Sequence, residues 1–117
     1  MHKWDEGELI AIKYLQRKGY KVLDTNFKFS RFWEIDIICK KENITIFIEV
    51  KYRTNDKYGT PEESITKNKL RKAKRTIEYY IVKHENNFED IRFDVVSIVR
   101  ETKSYKLKHY KNIQVEF

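Results

Sequence analysis

The sequence has little cysteine, proline or glycine, and each shortage excludes a class of protein. With Cys39 as the one cysteine among 117 residues, the chain has no internal disulfide, which suits a reducing cytoplasm. One proline and three glycines leave no room for a flexible linker or a glycine-rich phosphate-binding loop. The three histidines (His2, His84 and His109) lack metal-ligand spacing. We therefore expect a single domain over residues 1–117 without a Cys/His zinc site.

Long apolar runs are missing as well. No run approaches the roughly 18 residues of a transmembrane helix, and the segment from Met1 to Asp5 does not lead into a signal-peptide core. Charge is abundant, because 37% of the residues are charged and the formal net charge is +7. This charge favours an anionic partner, with nucleic acid the commonest and a membrane surface the rival. We expect a cytoplasmic protein that binds nucleic acid, most simply DNA, and no membrane. The sequence is compatible with a monomer and with a homodimer.

The coarse order of elements predicts an α/β fold. A strand, a long helix and a further strand in succession imply a parallel strand pair. We expect a restriction-endonuclease-like core with a mixed sheet of about five strands flanked by helices, in the order α-β-β-β-α-β-β. The predicted helices are Asp5–Lys18, ended by Gly19, and the segment from Thr66, its N-cap, to Glu85; the predicted strands are Lys21–Lys28, Glu34–Lys41, Ile44–Arg53, Ile91–Arg100 and one or two within Tyr105–Phe117.

The most apolar hairpin, EIDIICKKENITIFIEVKYR (residues 34–53), contains charged residues inside its strands. A two-residue turn at Glu42-Asn43 places Asp36 opposite Glu49 and Glu34 opposite Lys51, all on one face. Glu34 and Lys51 then form an ion pair worth ~0–1 kcal/mol if exposed. Two carboxylates ~5 Å apart instead repel by roughly 3 kcal/mol at an effective dielectric constant of about 20. A divalent cation between them would turn this repulsion into a binding site.

A third acid lies in the first predicted helix. Glu8 precedes Ala11, Ile12 and Leu15 at helical spacing, so it lies on the stripe that faces the core. Its alternative role is that of a first-turn acid stabilised by the helix dipole by ~0.3–1 kcal/mol. The inward stripe and the hairpin acids together favour a site.

The spacing Asp36-x12-Glu49-x-Lys51 resembles the PD-(D/E)xK signature of restriction-endonuclease-like nucleases. The segments WDEGELIAIKYLQRKGYKVLDTNFK, EIDII, IFIEVKYR, YGTPEESITKNK and RFDVV resemble the YraN family, bacterial predicted endonucleases distantly related to archaeal Holliday junction resolvases. The resemblance implies that Glu8, Asp36 and Glu49 bind Mg²⁺ or Mn²⁺ and that Asp36, Glu49 and Lys51 are catalytic, with Lys51 beside the scissile phosphate. The chain departs from the family at Trp33, where the family has glycine; the ring would narrow the approach to the site or stack on a nucleotide.

Basic residues near the second helix are candidates for nucleic-acid binding. Lys67 and Lys69 lie at the helix N-terminus, which itself binds anions. The long loop and the strand before it supply Arg53, Lys57 and Tyr58. The alternative for all five residues is ordinary solvated surface.

Three further residues are expected to be structural. Cys39 shares a face with Ile35 and Ile37 and belongs in the core, and His84 ends the packing stripe of the second helix. Asp94, in RFDVV, is expected to pair with a nearby arginine or to cap a strand end.

The sequence therefore predicts a metal-dependent endonuclease that hydrolyses phosphodiester bonds in DNA, with branched or repair and recombination intermediates among its substrates. The alternative is a nuclease-like fold that binds nucleic acid without cutting it. A basic adaptor for an acidic protein or a membrane explains the charge but not the facing carboxylates.

Overall fold

A computed structural model describes residues 5–31, 33–54, 66–84 and 90–114 of the protein. Within these ranges the elements follow the predicted order α-β-β-β-α-β-β. No helix in them is long and apolar enough to cross a membrane. The elements are α1 (Glu6–Arg17), β1 (Lys21–Ser30), β2 (Trp33–Lys41), β3 (Ile44–Arg53), α2 (Lys67–His84), β4 (Asp90–Arg100) and β5 (Tyr105–Tyr110).

The predicted helix ends are confirmed by their capping contacts. Gly19 follows α1 with φ of +91°, a left-handed conformation that glycine adopts without a steric cost. Thr66 caps α2, since its Oγ1 accepts a hydrogen bond from the Lys69 backbone N–H at 3.2 Å. Asp5 does the same for α1 through the Glu8 backbone N–H at 2.8 Å. The C-terminal segment forms one strand, Tyr105–Tyr110, within the described residues.

The sheet is mixed, as predicted, with strand order β1-β2-β3-β4-β5. The β3 and β4 strands run parallel on either side of the α2 connection, and the other neighbouring pairs are antiparallel. The β2–β3 hairpin has the predicted register, from Lys41↔Ile44 to Ile37↔Ile48. The two acidic candidates, Asp36 and Glu49, therefore come directly after the last pair of this ladder.

Each helix covers one face of the sheet. The α1 helix packs through Ala11, Ile12 and Leu15, and its cluster includes Ile37 and Cys39 of β2. The α2 helix packs on the other face in the cluster of Phe27, Ile35, Ile38, Phe47, Ala73, Ile77, Tyr80, Phe93 and Val95. The prediction that Ile35 shares a face with Cys39 is thus wrong. Side chains alternate regularly between the two faces only in an undistorted strand. In β2 this alternation is broken at Asp36, so that Ile35 and Ile37 lie on opposite faces of the sheet.

A buried polar cluster ties α1 to β4 and to the end of β5. Asp94 is fully buried and accepts hydrogen bonds from Arg92 Nε and Nη2, both at 2.9 Å, and from the Asn112 backbone N–H at 2.9 Å. His109 Nε2 lies 2.7 Å from Asp94 Oδ2, and its Nδ1 lies 2.8 Å from the Tyr14 hydroxyl. The prediction that Asp94 pairs with an arginine is confirmed.

His84 lies at the exposed end of α2, where its ring stacks on Tyr80 with centroids 3.9 Å apart. Its Nδ1 is 2.9 Å from the Tyr80 carbonyl oxygen of the preceding turn. This position agrees with the predicted structural role at the end of the packing stripe.

Candidate active site

The β2 and β3 strands separate at Asp36. Their ladder ends at Ile37↔Ile48, and beyond it the Val50 backbone N–H donates to Asp36 Oδ2 at 2.7 Å. A carboxylate side chain has taken the place of a main-chain acceptor at this point. The Asp36 side chain therefore lies between the two strands. The predicted regular ladder pair of Asp36 with Glu49 is not formed, because the ladder ends one pair earlier.

The β1 strand is distorted at the same level. Asn26, opposite Asp36 in the β1–β2 register, has φ of +52°, a left-handed conformation that asparagine tolerates better than most residues. Its Nδ2 donates to Glu8 Oε2 at 2.8 Å. The sequence reasoning missed Asn26, although an asparagine in a strand interior is unusual enough to have indicated an irregularity.

Gly7 allows the first turn of α1 to approach the sheet closely enough for Glu8 to reach the site. A Cβ at Gly7 would lie 2.7 Å from Tyr52 Cβ, well inside van der Waals contact. The Tyr52 hydroxyl donates to Glu6 Oε2 at 2.6 Å and fixes the same turn. Glu8 is thus positioned from one side by the packing of α1 on β3 and from the other by Asn26.

Four carboxylates share the electrostatic field at this point. The pKa of Asp36 is raised to about 7, mainly by burial; the charges of Glu49, Glu8 and Glu34 act in the same direction, and the hydrogen bond from the Val50 backbone N–H opposes them. Burial also raises the pKa of Glu8, where Glu34 again contributes. The repulsion that the hairpin register predicts between Asp36 and Glu49 therefore extends to Glu8 and Glu34.

Lys51 pairs with Glu49 and not with Glu34. In the described part of the chain its Nζ lies 3.0 Å from Glu49 Oε1, so the cross-strand ion pair with Glu34 is wrong. The separation of the strands explains this, because Glu34 is no longer paired with Lys51 in the β2–β3 ladder. Burial opposes the charge on Lys51, but hydrogen bonding to Lys69 and the charges of Glu49 and Asp36 together raise its pKa above the ordinary value.

The start of α2 brings a second amine beside Lys51. Hydrogen bonding to Lys51 is the largest cause that lowers the pKa of Lys69, followed by burial and by the charge of Lys51. Arg53 also lowers the pKa of Lys69, and it lies half-buried two residues after Lys51 on the same face of β3. Lys67 is exposed at the first position of α2. The other two candidates, Lys57 and Tyr58, lie outside the described residues.

The carboxylates suit a hard divalent cation by their chemistry. No three Asp, Glu, His or Cys side chains among the described residues already stand close enough to hold a metal ion. The hydrogen bonds above use Asp36 Oδ2 and Glu49 Oε1, which leaves Asp36 Oδ1 and Glu49 Oε2 for such a cation. A cation bound there would offset the repulsion among the acids.

The mixed sheet between two helices, with the strands in this order, is a restriction-endonuclease-like α/β core. The chain belongs to the uncharacterised protein family UPF0102, whose model matches residues 7–98, and this confirms the resemblance to YraN. It is 40% identical over 106 residues to the UPF0102 protein of Syntrophomonas wolfei, covering 91% of each chain. It is 44% identical over 107 residues to that of Thermodesulfovibrio yellowstonii, covering 92% of this chain and 90% of the relative.

Proposed function

We propose that this protein is a metal-dependent endonuclease that hydrolyses phosphodiester bonds in DNA. The observation that carries the proposal is the convergence of Asp36 with the Glu49–Lys51 pair where β2 and β3 separate. Asp36 Oδ2 is fixed on the Val50 backbone N–H at 2.7 Å, and Lys51 Nζ lies 3.0 Å from Glu49 Oε1. Folding alone would not select adjacent carboxylates that repel each other, whereas a site for a cation and a phosphate requires them.

Each residue has a chemical part in the proposed reaction. Glu8, Asp36 and Glu49 would hold Mg²⁺ or Mn²⁺, which when bound polarises the phosphate and lowers the pKa of a water molecule. The Lys51 amine donates a hydrogen bond to a phosphate oxygen and offsets the charge that develops on it during hydrolysis. Val50 holds Asp36 in place through its backbone N–H.

The charge around the site fits a phosphate backbone. Lys69 lies beside Lys51, Arg53 follows on the same face of β3, and the whole chain carries a formal net charge of +7. Cations that line a site attract and position a polyanion. The resemblance to the YraN family, which is distantly related to archaeal Holliday junction resolvases, favours branched DNA among the substrates.

A cleavage assay tests the proposal. We would incubate the protein with linear, nicked, flapped and four-way DNA, each with and without Mn²⁺, and analyse the products on denaturing gels. Cleavage of at least one substrate that depends on Mn²⁺ is the expected result. Absence of cleavage from every substrate at protein concentrations that saturate binding would contradict the enzymatic function.

A nucleic-acid-binding protein without catalysis is the second candidate. It is favoured by the absence, among the described residues, of three ligands already close enough to hold a metal ion. This candidate predicts DNA affinity that is the same with Mn²⁺ and with chelator, and no cleavage. A basic adaptor for an acidic protein or membrane predicts no DNA affinity at moderate salt, so the same binding series separates all three functions.

The start of α2 is expected to contact phosphates. Replacing Lys67 and Lys69 together by Ala should weaken binding to all DNA sequences alike and reduce the slope of log K against log salt by about one to two units, because each phosphate contact contributes about 0.9. Fluorescence anisotropy of labelled DNA across a salt series measures this slope.

The matched control for this pair is the Lys21→Ala/Lys40→Ala variant. These exposed lysines face each other in β1 and β2, and Lys40 lies about 13 Å along the strand from Asp36. The control removes the same amount of charge. Because it does so away from the site, it should leave the slope of log K against log salt nearly unchanged. Equal slopes for both double variants would assign Lys67 and Lys69 to ordinary solvated surface.

A further inference from the structure

Two exposed aromatic rings and the half-buried ring of Trp33 form a patch near the candidate active site. Phe29 is 42% exposed and Tyr79 is 38% exposed, and their ring centroids lie 4.8 Å apart. Trp33 joins them, 5.6 Å from Phe29. We call these residues, Phe29, Trp33 and Tyr79, the aromatic patch. Large exposed rings in contact with one another are unusual on a surface that serves only folding.

Cations lie over the rings of the aromatic patch. The Arg75 guanidinium carbon is 5.0 Å from the Trp33 ring centroid, and the Lys83 amine is 6.0 Å from that of Tyr79. Arg75, Tyr79 and Lys83 are spaced four residues apart on α2, so they share one side of the helix. The patch therefore combines aromatic rings with positive charge, which is complementary to a nucleotide with its base and its phosphate.

The patch continues the cationic surface that starts at the candidate site. Trp33 is three residues before Asp36 on β2, a distance of about 10 Å along the strand. Arg75 is six residues after Lys69 on α2, which is about 9 Å along the helix. One strand and one helix thus lead from the site to the patch, over a length of a few nucleotides.

We propose that the aromatic patch stacks unpaired nucleotides of a DNA strand that extends from the candidate active site. Rings interleaved with cations are the general device for binding single strands, because every base has a face to stack whereas the faces of paired bases are covered by their neighbours. The proposal deepens the proposed function by naming DNA with an unpaired segment, such as a flap, as the substrate class. Only its link to cleavage rests on that function, since the stacking itself does not require catalysis.

Trp33 can report directly on its own contact with DNA. The chain has two tryptophans, so the Trp4→Phe variant leaves Trp33 as the sole tryptophan. We would titrate this variant in chelator with a single-stranded oligonucleotide and with a duplex of equal length, following tryptophan fluorescence and the anisotropy of labelled DNA. The expected result is quenching of Trp33 by the single strand and little change with the duplex.

Variants of the other two rings test the same contact by affinity. Phe29→Ala and Tyr79→Ala should each weaken single-strand binding roughly 5- to 150-fold, the range that loss of one stacked base gives, and change duplex affinity less than 2-fold. Tyr79→Phe keeps the ring and should restore the affinity. Val82→Ala is the matched control, because Val82 is 73% exposed on the same helix and lies outside the patch.

Three results would overturn the proposal. One is single-strand binding with unchanged Trp33 fluorescence, and another is an equal loss of single-strand and duplex affinity in the Ala variants. The third is a dimer, seen by sedimentation, that these variants dissociate, which would assign the patch to a second copy of the chain. Because the titrations are made in chelator, a protein that never cleaves but shows the strand-specific quenching contradicts only the proposed function. Cleavage of duplex DNA without quenching contradicts only the stacking.

Discussion

Replacing Lys51 by Met is expected to lower the rate of DNA cleavage about 10²-fold or more, whereas Glu34→Gln should retain far more activity. Methionine has nearly the length of lysine but carries no charge, so it cannot donate to a phosphate oxygen or offset developing charge. The amine of Lys51 is held by Glu49 at 3.0 Å, next to the acids that would hold the metal. Its loss therefore removes an interaction at the reacting group.

The comparison with Glu34→Gln separates catalysis from pairing. Glu34 belongs to the same group of acids but does not pair with Lys51, so if Lys51 only balanced the charge of these acids, both changes would have small and similar effects, of about 0–1 kcal/mol. Single-turnover cleavage in Mn²⁺ gives the rates, and DNA affinity in chelator shows how much of any loss is binding. The catalytic role of Lys51 is contradicted if the two variants lose the same fraction of the cleavage rate.

The hairpin and the order of elements could be predicted because both depend on local rules. A two-residue turn and the period of two along each strand set the register, and the structure has that register from Lys41↔Ile44 to Ile37↔Ile48. The helix caps at Thr66 and Gly19 follow from the side chain or the backbone freedom of a single residue. Sequence spacing therefore placed Asp36 and Glu49 at corresponding positions of neighbouring strands.

The contacts that organise the site could not be predicted in the same way. The period of two along a strand holds only for an unbroken ladder, whereas the Asp36 side chain replaces a main-chain acceptor at the Val50 backbone N–H. Contact between Asn26 and Glu8 depends on a left-handed residue in β1, and the approach of Lys69 to Lys51 depends on how α2 packs. The roles of Lys57 and Tyr58 stay predictions.

The second large effect is expected for Asp36→Asn, which should first of all change the free energy of unfolding. The pKa of Asp36 is raised to about 7 from an ordinary 3.8, so the folded protein binds more protons than the unfolded chain between about pH 4 and pH 7. Stability therefore falls as pH rises through this window, and above pH 7 the ionised carboxylate carries a cost of at most about 4 kcal/mol. Asparagine has no charge and can still accept from the Val50 N–H through its Oδ1. At pH 8 in chelator, Asp36→Asn should raise the free energy of unfolding by about 1–3 kcal/mol.

Asp94→Asn is the matched control, because it makes the same change at another buried acid. Burial acts to raise the pKa of Asp94, but hydrogen bonds from His109, Arg92 and Asn112 lower it below the ordinary value. The ionised form of Asp94 thus stabilises the fold above the unfolded pKa, and this contribution is lost as pH falls through the folded pKa. Asp94→Asn should therefore lower the unfolding temperature in the same buffer, opposite in sign to Asp36→Asn.

The metal response completes the prediction for Asp36. Mn²⁺ should stabilise the parent protein by mass action, and Asp36→Asn should abolish both this stabilisation and DNA cleavage, because one of the hard oxygen ligands has lost its charge. Thermal unfolding with and without Mn²⁺, for the parent, Asp36→Asn and Asp94→Asn proteins, measures the response. A residue that costs stability in chelator and is required for the metal response serves function and not folding. If Asp36→Asn instead destabilises the chelated protein and leaves the Mn²⁺ response intact, Asp36 acts only as the hydrogen-bond acceptor for Val50, and the metal site does not include it.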